Sequence, residues 1–148
     1  MNEIDKKILK ILQKNARITN VEIARQIKMA PSAVLERIRR LEKKNIIQKY
    51  GVVINPHEIK KNLLAFVLVK ASGPIVDNKT AKELAKVDEI QEVHMVAGED
   101  CFLVKIRAEN TEELSSLLRN KIAKIKSISS TSTTIVLETV KESSDISF

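Results

Sequence analysis

Residues 19–54 read TNVEIARQIKMAPSAVLERIRRLEKKNIIQKYGVVI, and this stretch decides the first half of the fold. It holds two short amphipathic segments separated by a tight break. Thr19 stands at a helix-capping position with Glu22 three residues on, the spacing of a capping box. Val21, Ile23, Ala24 and Ile27 then form a short apolar face. Pro31 opens the second segment at a first-turn position, where its missing N–H costs nothing. Val34, Leu35, Ile38 and Leu41 recur at helical spacing and leave Glu36, Arg37, Arg39, Arg40, Lys43 and Lys44 outside. The cap before Pro31 is Ala30, which forgoes roughly 1 kcal/mol relative to serine.

Working outward, MNEIDKKILKIL predicts a preceding helix with Asn2 as cap, Asp5 at the capping-box position, and Ile4, Ile8, Ile11 and Leu12 on one stripe. Three short helices with a break of three to four residues before the last make a helix-turn-helix pattern. After Asn45 the period changes. Residues 46–54 suggest a small hairpin or wing bent near Gly51 and closed by Asn55-Pro56. The polar run NPHEIKKN, 55–62, is the expected linker.

The second half has another rhythm. Leu63–Ser72 is β-rich, Asp77–Lys86 is helical in pattern, and Ile90–Ala97 and Cys101–Ala108 are two strands joined by Gly98-Glu99-Asp100. Thr111 is expected to cap a further helix with Leu114, Leu117, Leu118 and Ile122 inward, and Ile128–Thr139 is a final strand. The order βαββαβ is the ferredoxin-like split arrangement. The chain is therefore expected to be α+β: an N-terminal helix-turn-helix (winged-helix-like) domain over 1–54, a linker over 55–62, a βαββαβ domain over 63–140, and a Ser-rich tail over 141–148 ordered by contact with a neighbour.

Charge divides along the same line. Residues 1–62 carry 15 Lys and Arg against 6 Asp and Glu, a net of +9, whereas 63–148 carry 11 against 13, a net of −2. A basic first half beside a slightly acidic second half fits a polyanion partner for the first half alone. A surface merely rich in Lys and Glu would show both signs in both halves. The longest apolar run, Leu63–Val69, is too short to span a bilayer, and the charged N-terminus is unlike a secretory signal, so a cytoplasmic location without membrane contact is expected. The single cysteine, Cys101, excludes an intramolecular disulfide and a multi-cysteine zinc site. With His57 and His94 it matches no zinc spacing. Neither metal nor cofactor is expected, and no catalytic set is apparent.

Within the third helix, Ser32, Ala33, Glu36 and Arg37 lie in the early turns, the part of such a helix that enters a major groove. Arg37 has the donor fork to bridge guanine O6 and N7. Arg39, Arg40, Lys43 and Lys44 suit phosphates. A solvated helix face is the alternative for this charge run, and the helices before it argue against that alternative. In the second half, the loop Ala97-Gly98-Glu99-Asp100 and the strand Thr131-Ser132-Thr133-Thr134 are candidates for a small-molecule site. Backbone amides and hydroxyls can hold a carboxylate there, and Glu99 or Asp100 can take an ammonium. Plain turn chemistry and a Thr-rich edge strand are the alternative.

These residues, in this order, resemble the leucine-responsive/asparagine-regulator (Lrp/AsnC) family of transcription factors over nearly the whole chain. The resemblance rests on EIDKKILKILQKNARITNVEIARQI, PSAVLERIRRLEKKNII and YGVVINP in the first half, and on GEDCFLVKI and STSTTIVLE in the second. It implies a DNA-binding helix-turn-helix joined by a β-linker to an effector-sensing domain. It also implies homodimers formed through the sheets, often assembled into octamers, with amino acids bound between dimers. Three positions depart from the family pattern: Ala30 for a usual serine, Asn45 for a glycine, and Cys101 for an aspartate. The last leaves a neutral polar amino acid slightly favoured as effector. The expected function is sequence-specific regulation of transcription on double-stranded DNA, modulated by an amino acid. The rivals are a tetrapyrrole (sirohaem-type) decarboxylase of similar architecture and a ligand-independent architectural DNA binder.

Overall fold

The computed structural model describes residues 1–72, 78–98 and 102–148. The chain divides into two compact units: Met1–Val53 with Glu142–Phe148, and Ile54–Lys141.

The first unit holds α1 (Glu3–Lys14), α2 (Asn20–Ile27) and α3 (Pro31–Lys43). Two capping boxes start the first two helices. The Asn2 side chain accepts from the Asp5 amide at 2.9 Å, and the Asp5 carboxylate takes the Asn2 amide in return. Thr19 and Glu22 make the same reciprocal pair on α2. Both satisfy amides that a helix end otherwise leaves open. α2 ends at Lys28 in the left-handed region, φ 56°, and the Met29 amide returns to the Ala24 carbonyl at 2.9 Å. That left-handed residue turns the chain sharply into α3. Asn45, also left-handed at φ 55°, does the same at the exit of α3.

Ile8, Ile23, Ala24, Val34, Ile38 and Leu41 are the buried centre, with Ile4, Leu9, Ile11, Leu12, Ile18, Ile27, Met29 and Ile47 packed round them. Val21, expected inside, is 54% exposed. It lies in the first turn of α2 and is not among the side chains packed on the core. The expected hairpin over 46–54 does not form: residues 51–55 carry no strand, and Val52 and Val53 are exposed. Their β-branched side chains favour extended backbone, but no pairing partner lies within the described chain.

The second unit is a four-stranded antiparallel sheet in the order β2-β3-β1-β4, from β1 (Leu63–Ala71), β2 (Ile90–Met95), β3 (Phe102–Ala108) and β4 (Ile128–Ile135). The crossovers carry α4 (Lys79–Leu84) and α5 (Thr111–Leu117), the latter continuing into a π-helical turn, Leu118–Ile122. This is the split βαββαβ topology the spacing predicted. One sheet face presents Ala65, Val67, Val69, Phe102, Val104, Ile106 and Ala108 to Leu84, Leu114, Leu117, Ile122 and Ile125, and together they form the core. Alternation puts Phe66, Leu68, Leu103 and Lys105 on the opposite face, half-buried. Asn110, not Thr111, caps α5, accepting from the Glu113 amide at 2.9 Å. No helix among the described residues is long and apolar enough to cross a membrane.

Candidate functional site

The helix-turn-helix core fixes α3 by one stripe and leaves the rest of its circumference outward. Ser32, Glu36, Arg39, Arg40, Lys43 and Lys44 are exposed, and Ala33 is half-buried. None of Arg39, Arg40, Lys43 and Lys44 forms an ion pair with a described carboxylate. Four exposed cations on one side of a short helix make a positive ridge, and such a ridge attracts polyanions. The amino end of α3 starts on Ala30 in extended conformation, with no side-chain hydrogen bond over the first amides.

Arg37 is placed elsewhere. Its guanidinium donates to the Asp5 carboxylate at 2.8 Å and to the Asn2 side-chain oxygen at 3.4 Å. The pair is largely sheltered, with side chains 20% and 12% exposed. Burial pulls the Asp5 carboxyl up. The Arg37 hydrogen bond, the Asn2 amide and the nearby charges of Arg37 and Arg40 outweigh it, so the group sits below its usual range. The expected reading of guanine by Arg37 therefore conflicts with its geometry. An arginine locked onto the capping box of α1 braces α3 against α1. Asp5 is 32 positions away in sequence, which is why the charge pattern of α3 alone gave no sign of the pairing.

Sequence reasoning passed over Arg25 and Lys28, both exposed, at the end of α2 and in the turn before α3. The signal was the turn itself, which brings these cations to the start of α3. Tyr50 beyond α3 donates to the Glu42 carboxylate at 2.8 Å. Burial first, then that bond and the charge of Glu42, push the phenol up to about 12.

In the second unit, the described candidates for an effector site lie at opposite edges of the sheet. Ala97 and Gly98 are exposed, and Gly98 has φ 139°, a region open to glycine and strained for other residues. Glu99, Asp100 and Cys101 lie outside the described residues. Thr131, Ser132, Thr133 and Thr134 are all exposed on β4, the edge strand. Their partners on β1 are Val69, Leu68, Val67 and Phe66. Thr131 and Thr133 consequently share the helix-covered side with Val69 and Val67, and Ser132 and Thr134 share the opposite face. Met95, Phe102, Val69 and Thr131 stand in line across the sheet. The loop therefore leaves the same end of the sheet as Thr131, with two strand spacings, roughly 10 Å, between Phe102 and Thr131. Among the described residues, Ala97 and Gly98 follow β2 at one edge of the sheet and the hydroxyls lie on β4 at the other.

On the face without helices, the Glu92 carboxylate takes His94 Nε2 at 3.0 Å and Lys105 Nζ at 3.1 Å. The His94 bond, against the opposing pull of burial, and then Lys105 hold Glu92 below its usual range.

Comparison with known proteins accounts for both units. Residues 1–48 match the winged helix-turn-helix DNA-binding family, and residues 64–146 match the Lrp/AsnC ligand binding domain. The leucine-responsive regulatory protein of Escherichia coli is 36% identical over 145 residues, 97% of this chain and 88% of that protein. A transcriptional regulator of Neisseria meningitidis solved with L-methionine superposes with a TM-score of 0.93 at 24% identity, covering 99% of this chain and 96% of that one. AsnC of E. coli gives 0.88 at 25% identity, covering 96% and 95%. A positive third helix on a three-helix core, the βαββαβ sheet that follows it in the chain, and this continuous similarity have one meaning: the chain belongs to the Lrp/AsnC family of DNA-binding transcription regulators.

Proposed function

We propose that this chain reads double-stranded DNA with α3 and regulates transcription in response to an amino acid bound by its sheet unit. The observation that carries the DNA half is the exposed ridge of Arg39, Arg40, Lys43 and Lys44 on a helix whose opposite side is fixed in the core. These cations, with Arg25 and Lys28 beside the turn, meet phosphates. Ser32, Ala33 and Glu36 in the early turns face base edges, and the uncapped amides at the start of α3 add donors for a phosphate oxygen. Arg37 is left out of the base readers and acts through Asp5. In a dimer, two such helices fall in successive major grooves about 34 Å apart on a pseudo-palindrome.

The effector half places the ligand between chains. Gly98 and its loop supply backbone amides, Glu99 or Asp100 the ammonium partner, and Thr131–Thr134 the hydroxyls. The L-methionine held by the Neisseria regulator on the same fold supports a ligand of this size and class. A neutral side chain remains favoured here, because Cys101 replaces an acid. The helix-free sheet face, with Phe66, Leu68 and Leu103 half-buried, suits a homodimer contact, and dimers assemble further to octamers. The positive charge concentrates in the first unit, which favours a regulator over a tetrapyrrole decarboxylase.

Salt titration of DNA binding tests the reading. The logarithm of affinity falls with log salt by about 0.9 per phosphate contact, and a flat response refutes α3 as the DNA face. Calorimetry against the twenty amino acids tests the effector half. Heat from at least one is expected, and silence from all leaves an architectural DNA binder.

A further inference from the structure

The segment Glu142–Phe148 belongs to the helix-turn-helix unit, although the whole sheet unit, Ile54–Lys141, precedes it in the chain. The tail was expected to be ordered by contact with a neighbour, and here α1 of its own chain holds it. The Gln13 side-chain amide donates to the Ile146 carbonyl at 3.2 Å, and its oxygen accepts from the Ile146 amide at 3.0 Å. Taking both polar groups of one residue is what a neighbouring antiparallel strand does, so Gln13 grips extended backbone whatever the side chain at 146. One turn earlier on the same helix face, the Lys10 ammonium stands 5.6 Å from the centre of the Phe148 ring. The chain within the segment is shaped too, with the Asp145 amide donating to Ser143 Oγ at 3.1 Å. Ile146 remains 70% exposed and Phe148 36%. Nothing from the segment enters the core beneath α1, which is filled by Ile4, Ile8, Ile11 and Leu12. Docking and release therefore require no repacking.

We propose that the Lys10–Gln13 face of α1 is a receptor for the chain's own segment 142–148, and that the docked segment is a second tether from β4 to the DNA-binding unit. The first tether is the chain through residue 54. The second starts where the Val136 amide donates to the Leu64 carbonyl at 2.9 Å, just past β4. Residues 137–141 alone separate that anchor from the docked segment, a stretch that reaches at most about 3.5 Å per residue. A connector of this length sets an upper limit on how far the anchor and the docked segment can part. Its consequence for regulation rests on the effector reading: a ligand that shifts β4 pulls on α1 as well as on the linker, and α1 is the helix that Arg37 joins to α3.

The test uses the full chain. Millisecond hydrogen–deuterium exchange should show peptide 142–148 protected in the wild type and exchanging at the unprotected rate in Gln13→Ala, with α1 and α3 unchanged. A wild-type segment already exchanging at the unprotected rate overturns the proposal. So does protection that disappears as the protein is diluted to monomers, which places the segment on a second copy's α1. DNA binding is then measured with and without L-methionine, and with the other amino acids pooled, for the wild type and for a chain ending at Lys141. The shortened chain should keep its basal affinity within about twofold and lose most of an effector response of the usual 5–150-fold size. An equal response in both chains overturns the regulatory role. If the wild type responds to no amino acid, the effector reading fails, while the exchange measurement still decides whether the tether exists.

Discussion

Arg37→Ala separates two roles that give opposite results. If Arg37 read a base, its removal would relax sequence choice at one operator position and leave the fold intact. The structure instead commits it to Asp5 at 2.8 Å, with the two side chains 20% and 12% exposed. Exposed pairs contribute about 0.2–1 kcal/mol, and breaking a buried one costs about 3–5. A pair sheltered to this degree lies between, at about 2 kcal/mol, or roughly 30-fold in the folding equilibrium. For a unit of this size that is about 8–16 °C in Tm, readable by calorimetry of the full chain. Asp5→Asn keeps an oxygen near Asn2 but loses the charge, so about 1 kcal/mol is expected. The double variant should cost clearly less than the two separate effects combined, because the same interaction is removed twice.

The pH dependence has a definite sign. Asp5 sits lower when folded than unfolded, so its contribution is complete above the ordinary aspartate range near pH 4 and lost as pH falls through the folded value. At pH 7 the comparison is therefore clean. An Arg37→Ala chain that melts within about 0.5 kcal/mol of wild type, the usual range for an ordinary surface change, and loses discrimination at one base pair would refute the bracing role.

Four further outcomes follow from single features. Ala30→Ser should stabilise the first unit by about 1 kcal/mol, since α3 starts in cap-ready extended conformation without a side-chain acceptor; an unchanged melt would sink this. Lys28→Gly relieves a left-handed non-glycine residue of about 1 kcal/mol of strain while removing a cation. The melt should rise and DNA affinity fall, and both changing in the same direction would contradict the two assignments. Tyr50 is the single tyrosine of the chain, so phenolate absorbance at 295 nm reports it alone: its midpoint should lie near 12 and move down in Glu42→Gln. Because that value is raised on folding, the associated stability is present below pH 10 and lost as pH climbs through 12. Ile8→Ala empties a fully buried site and should cost about 2–5 kcal/mol. The first unit should then melt early while the sheet unit keeps its transition.

What sequence revealed and concealed follows the distance over which each feature is decided. Asn2 with Asp5 and Thr19 with Glu22 were legible because a capping box closes within four residues. The βαββαβ order was legible because strand alternation and helix stripes are local as well. Asn110 and Thr111 are adjacent cap formers. The choice fell to Asn110 because its oxygen reaches the Glu113 amide, while Glu113 reaches back to the Glu109 amide. The extended stretch at 51–55 has strand composition and no strand, because composition cannot supply a partner edge. Arg37 and Gln13 were hidden for one reason: their partners stand 32 and 133 positions away. Only the packing of α1 beside α3, and the return of segment 142–148 to α1, brings them together.

The placement of the candidate effector residues bears on how control would operate. Thr131–Thr134 occupy the β4 edge of the sheet, and Gly98 follows β2 at the other. The hydroxyls divide between both sides of the strand. Two strand spacings, roughly 10 Å of backbone, separate β3 from β4, which favours a ligand held by Gly98 of one chain and the β4 hydroxyls of another. On the proposed reading, a ligand that uses both takes the loop from one chain and β4 from another. Its free energy then appears as association, and linkage makes the effect reciprocal: ligand favours assembly, and assembly tightens ligand. The effector response should therefore depend steeply on protein concentration, vanishing at dilutions where the chains separate. A response unchanged across a hundredfold dilution that dissociates the protein would show that one chain binds the amino acid alone, and the assignment of Thr131–Thr134 to the same site as Gly98 would be wrong.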